Sequence, residues 1–193
     1  LEREGIPFSV AHIANSAALI NYPGSRFDMV RPGLMCYGIW PCAGAVEPEL
    51  LRPVLRWETQ VTQVRDLAAG ESVSYGRTYT AEAPRRLAVL PVGYADGYRH
   101  AFSNRAEVLV NGIRCRVRGA VCMDQVVIDV TDAGPVQPGD TAILLGSDGT
   151  QMVSAAELAE LAGTIPYEIV AGIGSRVERA YTSAASSTVA RAS

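Results

Sequence analysis

The segment PCAGAVEPELLRP (41–53), rich in Pro, Gly and Ala, divides the chain into two stretches of different hydrophobic pattern, and so into two kinds of structure. On its N-terminal side a short strand at 8–11, a helix beginning near Asn15 (NSAALIN) and a buried strand at 27–30 alternate with short connections, as in a parallel βα unit. The second strand runs into Arg31-Pro32-Gly33, a sharp turn of the kind that presents ligand groups at the C-terminal ends of parallel strands. On the other side, runs rich in β-branched residues recur at 54–64, 86–92, 121–130 and 141–145. The runs 107–110 and 113–117 flank Asn111-Gly112, the pair that suits the positive φ angles of a type I′ hairpin, so a mostly antiparallel sheet or small barrel is expected. Ser154-Ala-Ala-Glu157 reads as a capping box, with Glu157 reaching back to the helix start, and opens a short amphipathic helix that Gly163 closes. The residues after Tyr181, TSAASSTVARAS, carry few apolar groups and are expected to be disordered. The domain organisation expected is 1–45, 46–185 and a tail at 186–193.

Composition narrows the partners. A hydrophobic share of 48% and a charged share of 19% describe an ordinary globular protein. A net charge of −3, without clustered basic and aromatic residues, argues against nucleic acid. No apolar run approaches the roughly 20 residues of a membrane span. The opening LEREGIPFSV resembles neither a signal peptide nor a Met-initiated start, so a cytoplasmic protein whose chain continues upstream is expected. Cys36, Cys42, Cys115 and Cys122 lack C-x-x-C spacing and only His12 and His100 could join them, so no metal site is expected and the thiols are read as reduced and half-buried. All 17 basic residues are arginine. Any chemistry that needs an ε-amino group, Schiff-base formation above all, must obtain it outside these 193 residues.

Four polar clusters stand in turns beside apolar runs. Asn15-Ser16 at a helix start offers a hydroxyl and free N–H groups, an anion site. Arg31-Pro32-Gly33 offers a guanidinium and a backbone open to a ligand. Val73-Ser-Tyr75-Gly76 and Gly93-Tyr94-Ala-Asp96-Gly97-Tyr98 are phenol-rich and bounded by glycine, and Cys122-Met123-Asp124-Gln125 puts a carboxylate into an apolar run. Singly, each has an ordinary explanation: a helix cap, a surface charge, packed tyrosines, a strand end.

Together and in order, these motifs resemble the alanine racemase family of fold-type III pyridoxal-phosphate enzymes. The resemblance rests on His12-Ile-Ala-Asn15-Ser16-Ala-Ala, Val30-Arg31-Pro32-Gly33 with Tyr37-Gly38, and Val73-Ser-Tyr75-Gly76-Arg-Thr78-Tyr79. It continues through Pro91-Val-Gly-Tyr94-Ala-Asp96-Gly97-Tyr98, Val121-Cys-Met123-Asp124-Gln125 and Gly163-Thr-Ile-Pro-Tyr167-Glu168. It implies the C-terminal strands of a (β/α)8 TIM barrel followed by a mostly antiparallel β domain. It also implies interconversion of L- and D-alanine by two-base proton transfer, with D-alanine feeding peptidoglycan synthesis in the cytoplasm.

Carried over residue by residue, the resemblance gives Ser16, Tyr167 and the N–H groups of Gly33 and Leu34 to the phosphate of pyridoxal 5′-phosphate. Arg31 lies against its pyridine nitrogen; a guanidinium keeps its proton, so the ring withdraws electrons weakly and side reactions such as transamination are disfavoured. Tyr75 becomes the acid/base on the L face. A free phenol releases its proton only near pH 10, so such a tyrosine needs activating neighbours. The Met123 N–H meets the substrate carboxylate, Asp124 stands beside it, and Tyr94 and Ile165 line the access channel. Tyr75 and Met123 act in the partner subunit's site, which makes the working unit a homodimer. The Schiff-base lysine belongs to a missing N-terminal barrel segment, so the 193-residue fragment alone is expected to be inactive.

One departure concerns charge: Ala120 stands where the family usually has arginine, and Arg116 or Arg118 is the local substitute. Two other readings stay open at this point, a serine, lysine or broad-spectrum racemase of the same fold, and a non-catalytic β-rich interaction domain.

Overall fold

The computed structural model describes residues 4–5, 7–41, 51–183 and 186–191. These fall into two compact units, Leu1–Leu55 and Arg56–Ser193. The boundary expected at 45/46 lies outside the described residues.

In the first unit, β1 (His12–Asn15) leads directly into α1 (Ser16–Asn21), and β2 (Met29–Arg31) pairs with β1 in parallel. The strand expected at 8–11 thus begins only at His12. Pairing starts at Ala11, whose N–H donates to the Asp28 carboxylate at 2.9 Å and whose carbonyl accepts from the Asp28 N–H at 3.1 Å. Asn15 caps α1 by accepting from the Ala18 N–H at 2.9 Å. The second strand, expected to be buried from residue 27, begins at Met29 and is not buried. Phe27 has φ 40 and is 65% exposed, and Ile13 and Met29 are exposed as well. Parallel strands are ordinarily covered on both faces, so this is a bare edge of apolar surface.

The second unit runs β3 (Trp57–Gln60), β4 (Gln63–Leu67), β5 (Ser72–Val73), β6 (Tyr79–Thr80), β7 (Arg85–Leu90), β8 (Glu107–Val110), β9 (Ile113–Arg116) and β10 (Val126–Asp129). It continues with β11 (Thr141–Asp148), β12 (Gln151–Val153), α2 (Ala155–Ala162), α3 (Pro166–Ala171), β13 (Ala180–Ser183) and β14 (Ser186–Arg191). Among the described residues every pairing is antiparallel. One sheet has the order β10-β7-β4, and a second has β12-β11-β8-β9 with β3 also on β11. A bridge between Val117 and Ile128 links them.

The central strands read as continuous apolar runs because both faces are covered: Ala142, Ile143, Leu144 and Leu145 of β11 are all buried. Leu109, Ile128 and Leu158 are buried as well, with Tyr98 edge-on between Trp57 and Phe102, while Leu87 packs with Leu67 and Ala81 in a cluster of its own. The hairpin expected at Asn111-Gly112 is present, with φ 52 and 71.

Several details differ from expectation. The single run 54–64 is divided between β3 and β4, which join different sheets. The run 121–130 is a strand only from Val126, since the Cys122 N–H donates to the Gln125 carbonyl and closes a turn. Ser154 caps α2 by accepting from the Glu157 N–H at 3.1 Å, and Gly163 ends the helix at φ 68. The reciprocal half of the capping box is missing, because a stronger partner takes the Glu157 carboxylate: Arg114 of β9 holds it through two N–H groups at 2.7 and 2.9 Å. Within the tail expected to be disordered, Ser186–Arg191 form β14, whose backbone pairs with β13, and 192–193 lie outside the described residues.

Candidate active site

In the first unit Ser16 and the Arg31–Leu34 turn stand together at the C-terminal ends of β1 and β2, where parallel α/β folds place ligands. The Ser16 side chain is buried, and its oxygen accepts from the Met35 N–H at 3.4 Å. Gly33 caps a 3₁₀ turn, Leu34–Tyr37, whose leading N–H groups have no acceptor within the turn. Among the described residues nothing lies within 4 Å of where a Cβ on Gly33 would sit. A buried hydroxyl beside open N–H groups suits a phosphate monoester. Arg31 is exposed and, among the described residues, tethered only by a 3.5 Å bond to the Ile13 carbonyl, and so can reach a ligand.

In the second unit three loops meet around an open groove of about 520 Å³ lined by Tyr75, Tyr94, His100, Ala120, Met123 and Asp124. The loop 93–97 is docked on the loop 119–125 by hydrogen bonds from the Tyr94 N–H to the Cys122 carbonyl and from the Ala95 N–H to the Met123 carbonyl, at 3.0 and 2.9 Å. This approach requires glycine at 93, where a Cβ would lie 2.2 Å from the Cys122 carbonyl oxygen. The same turn is fixed by Asp96, whose buried carboxylate accepts from the Gly93 N–H and pairs with Arg176 at 3.3 Å.

Tyr75 projects from the third loop and is 78% exposed, its hydroxyl without a hydrogen-bond partner among the described residues. Its neighbour Ser74 has φ 69 and ψ 172, a region otherwise left to glycine. Ser74 is held there by its hydroxyl, which donates to the Ala120 carbonyl at 2.7 Å, and by tight packing of its Cβ on Gly119. Asn104 ties the same two loops, accepting from the Gly119 N–H at 2.6 Å and donating to the Thr78 hydroxyl at 3.1 Å.

Four of the expected site residues, Tyr75, Tyr94, Met123 and Asp124, therefore share one groove, and Ser16, Arg31, Gly33 and Leu34 share one strand-end cluster. Tyr167 and Ile165 lie at the start of α3, partly or largely exposed, and do not line the groove. Neither arginine expected to replace the charge missing at 120 reaches the groove. Arg118 pairs with Asp129 at 3.1 Å and lies over the Tyr79 ring at 4.7 Å, and Arg116 donates to the Asn104 carbonyl. Sequence reasoning missed Ser74, His100 and Asn104 as site residues. The only signal was the serine preceding Tyr75, since the other two come from a turn distant in sequence.

Among the cysteines, Cys36 is exposed, Cys122 is half-buried beside the groove and Cys115 is buried, while Cys42 lies outside the described residues. Burial, with help from Asp129, pushes the Cys115 thiol up to about 12, so it stays protonated and unreactive. Among the described residues no helix is long and apolar enough to cross a membrane.

A strand-end anion cluster followed by an antiparallel domain with a phenol-lined groove defines the class: the end of a (β/α)8 barrel joined to a mostly antiparallel β domain. A family model described as the alanine racemase C-terminal domain matches residues 54–181, and one described as the alanine racemase N-terminal domain matches 1–41. The alanine racemase of Halothermothrix orenii is 45% identical, over 94% of this chain and 48% of its own length. That of Symbiobacterium thermophilum is 48% identical over the same shares. The chain therefore spans about half the length of the curated relatives it matches. The alanine racemase of Bacillus anthracis with bound L-Ala-P superposes with a TM-score of 0.90 at 34% identity, covering 98% of this chain and 49% of that one. The Bartonella henselae enzyme with covalently bound pyridoxal phosphate superposes at 0.81 and 32% identity, covering 91% of this chain and 47% of that one. The chain belongs to the alanine racemase family.

Proposed function

We propose that this chain supplies the C-terminal half of a pyridoxal-phosphate-dependent enzyme that interconverts L- and D-alanine for peptidoglycan synthesis, working in the cytoplasm as a homodimer. The observation that carries the reading is the exposed, unpartnered hydroxyl of Tyr75, fixed by a strained backbone at the mouth of a groove. Tyr75 gives a proton to, and takes one from, the substrate Cα on the L face. The Met123 N–H, for which no acceptor is seen among the described residues, meets the substrate carboxylate. Tyr94 and Asp124 border the approach.

Bound at the strand-end cluster, the cofactor would supply the electron sink that acidifies Cα. Ser16 and the N–H groups of Gly33 and Leu34 would hold its phosphate. Arg31 would donate a hydrogen bond to its ring nitrogen and withhold a proton. The amine that links it comes from an N-terminal barrel segment, because this chain has no lysine. The bare apolar edge of β1 and β2 supports such a segment covering it.

The test uses the full-length protein with its cofactor. Tyr75→Phe slows exchange of the L-alanine Cα proton into deuterated solvent at least about a hundredfold, within the range for losing a general acid/base. The cofactor absorbance is retained. Undiminished exchange, or loss of cofactor with the chemistry intact, overturns the role. The same assay run on alanine, serine and lysine decides the substrate, with alanine turning over fastest.

A further inference from the structure

The groove beside Tyr75 has an unusual charge inventory. Its lining carries the Asp124 carboxylate, the phenols of Tyr75 and Tyr94 and the Cys122 thiol, and among the described residues it includes no arginine. Ala120 contributes only a methyl group, and the nearby Arg116 and Arg118 are committed elsewhere. Val121 and Met123 add apolar side chains, and the remaining polar one is the imidazole of His100. It is exposed, at the head of a short 3₁₀ turn, His100–Phe102, that is pinned by Ser103: the Ser103 hydroxyl and N–H both donate to the His100 carbonyl, at 2.5 and 3.1 Å. None of these bonds uses the ring.

An amino acid approaching Tyr75 brings a carboxylate into this groove and past Asp124. Two carboxylates at close range repel unless a donor stands between them. Imidazole donates an N–H in either protonation state and, when protonated, adds opposite charge. We propose that His100 is the groove's receptor for the incoming substrate carboxylate, a specificity-determining residue that sets affinity without touching the proton-transfer step. This rests on the assignment of Tyr75 as the acid/base, since it takes the groove as the route to that hydroxyl.

Two measurements on the full-length holoenzyme test it. In steady-state kinetics with L-alanine, His100→Ala raises KM about tenfold and leaves kcat within about twofold, the pattern for a contact that favours binding and is not strengthened in the transition state. His100→Arg brings KM back to the wild-type value or below, and His100→Glu raises it beyond His100→Ala. An unchanged KM in His100→Ala, or a fall in kcat that His100→Arg does not rescue, overturns the proposal. Propionate, a carboxylate without the amine, gives a readout that needs no turnover. Titrated into the wild-type protein it shifts the His100 ring resonances, and its Kd rises about tenfold in His100→Ala. Ring resonances that do not move overturn the proposal whatever becomes of Tyr75, whereas a racemase that survives Tyr75→Phe while propionate still reports on His100 overturns only the acid/base assignment.

Discussion

Tyr94 and Tyr98 stand four residues apart in one glycine-bounded turn, yet the first lines the groove at 47% exposure and the second is fully buried. Burial, reinforced by the Glu157 carboxylate, pushes the Tyr98 phenol far above its ordinary range, so it remains neutral and acts as an aromatic filler between Trp57 and Phe102. Its hydroxyl has no hydrogen-bond partner among the described residues. A buried polar group left unpaired is destabilising, so Tyr98→Phe is expected to raise the unfolding free energy by about 1 kcal/mol, read from urea midpoints. A comparable loss of stability would show that the hydroxyl finds a partner in solution. From the motif both tyrosines looked equally eligible for chemistry. Which of them faces the core depends on the Gly93 turn docking against Cys122, a contact between segments almost thirty residues apart that no local pattern encodes.

Among elements, the β8–β9 hairpin was the most legible, because its signal is local: Asn111-Gly112 satisfies the turn and the flanking apolar residues satisfy the sheet. Gly112 has φ 71 and nothing within 4 Å of an added Cβ. Gly112→Ala therefore isolates backbone strain from steric collision, and a loss of about 1 kcal/mol in denaturant unfolding is expected. A much larger loss would point to a contact at the turn that the hairpin alone does not explain. The capping box at α2 was legible only in half. Ser154 bonds within its own helix, whereas Glu157 had a choice of partners, and Arg114, brought close by the packing of the hairpin on the helix, offers two charged donors where the helix start offers one neutral N–H.

At the scale of the whole second unit, one carboxylate ties several strands together. Asp129 at the end of β10 accepts from the Thr131 hydroxyl at 2.6 Å, pairs with Arg118 at 3.1 Å and lies 3.9 Å from Arg85 of β7. Burial works to raise its pKa, but the hydrogen bonds from Thr131 and Arg118 outweigh it and hold the carboxyl below the usual range. A group whose folded pKa lies below its unfolded value, near 3.9 for Asp, contributes stability that is complete above about pH 5 and is lost as pH falls through the folded value. Stability of the protein should therefore decline on acidification. Asp129→Asn should flatten that decline below about pH 5 while lowering stability at neutral pH by about 2 kcal/mol, the scale of hydrogen bonds to a charged group. Urea midpoints measured from neutral to acid pH give both quantities, and parallel profiles for the two proteins would remove Asp129 from the account.

What the residues alone determined were the properties that depend on neighbours in sequence. The change from βα alternation to antiparallel strands, the hairpin turn, the helix cap, the lack of any lysine and the order of the polar motifs are all of this kind. Tertiary structure decided the rest because it depends on distant partners. It set where β1 begins, it divided 54–64 between two sheets, it sent Arg118 to Asp129 and not to the groove, and it put His100 into one groove with Tyr75. Each of these is a competition among several possible partners. The winner is set by burial and geometry in the folded chain, which local sequence does not contain.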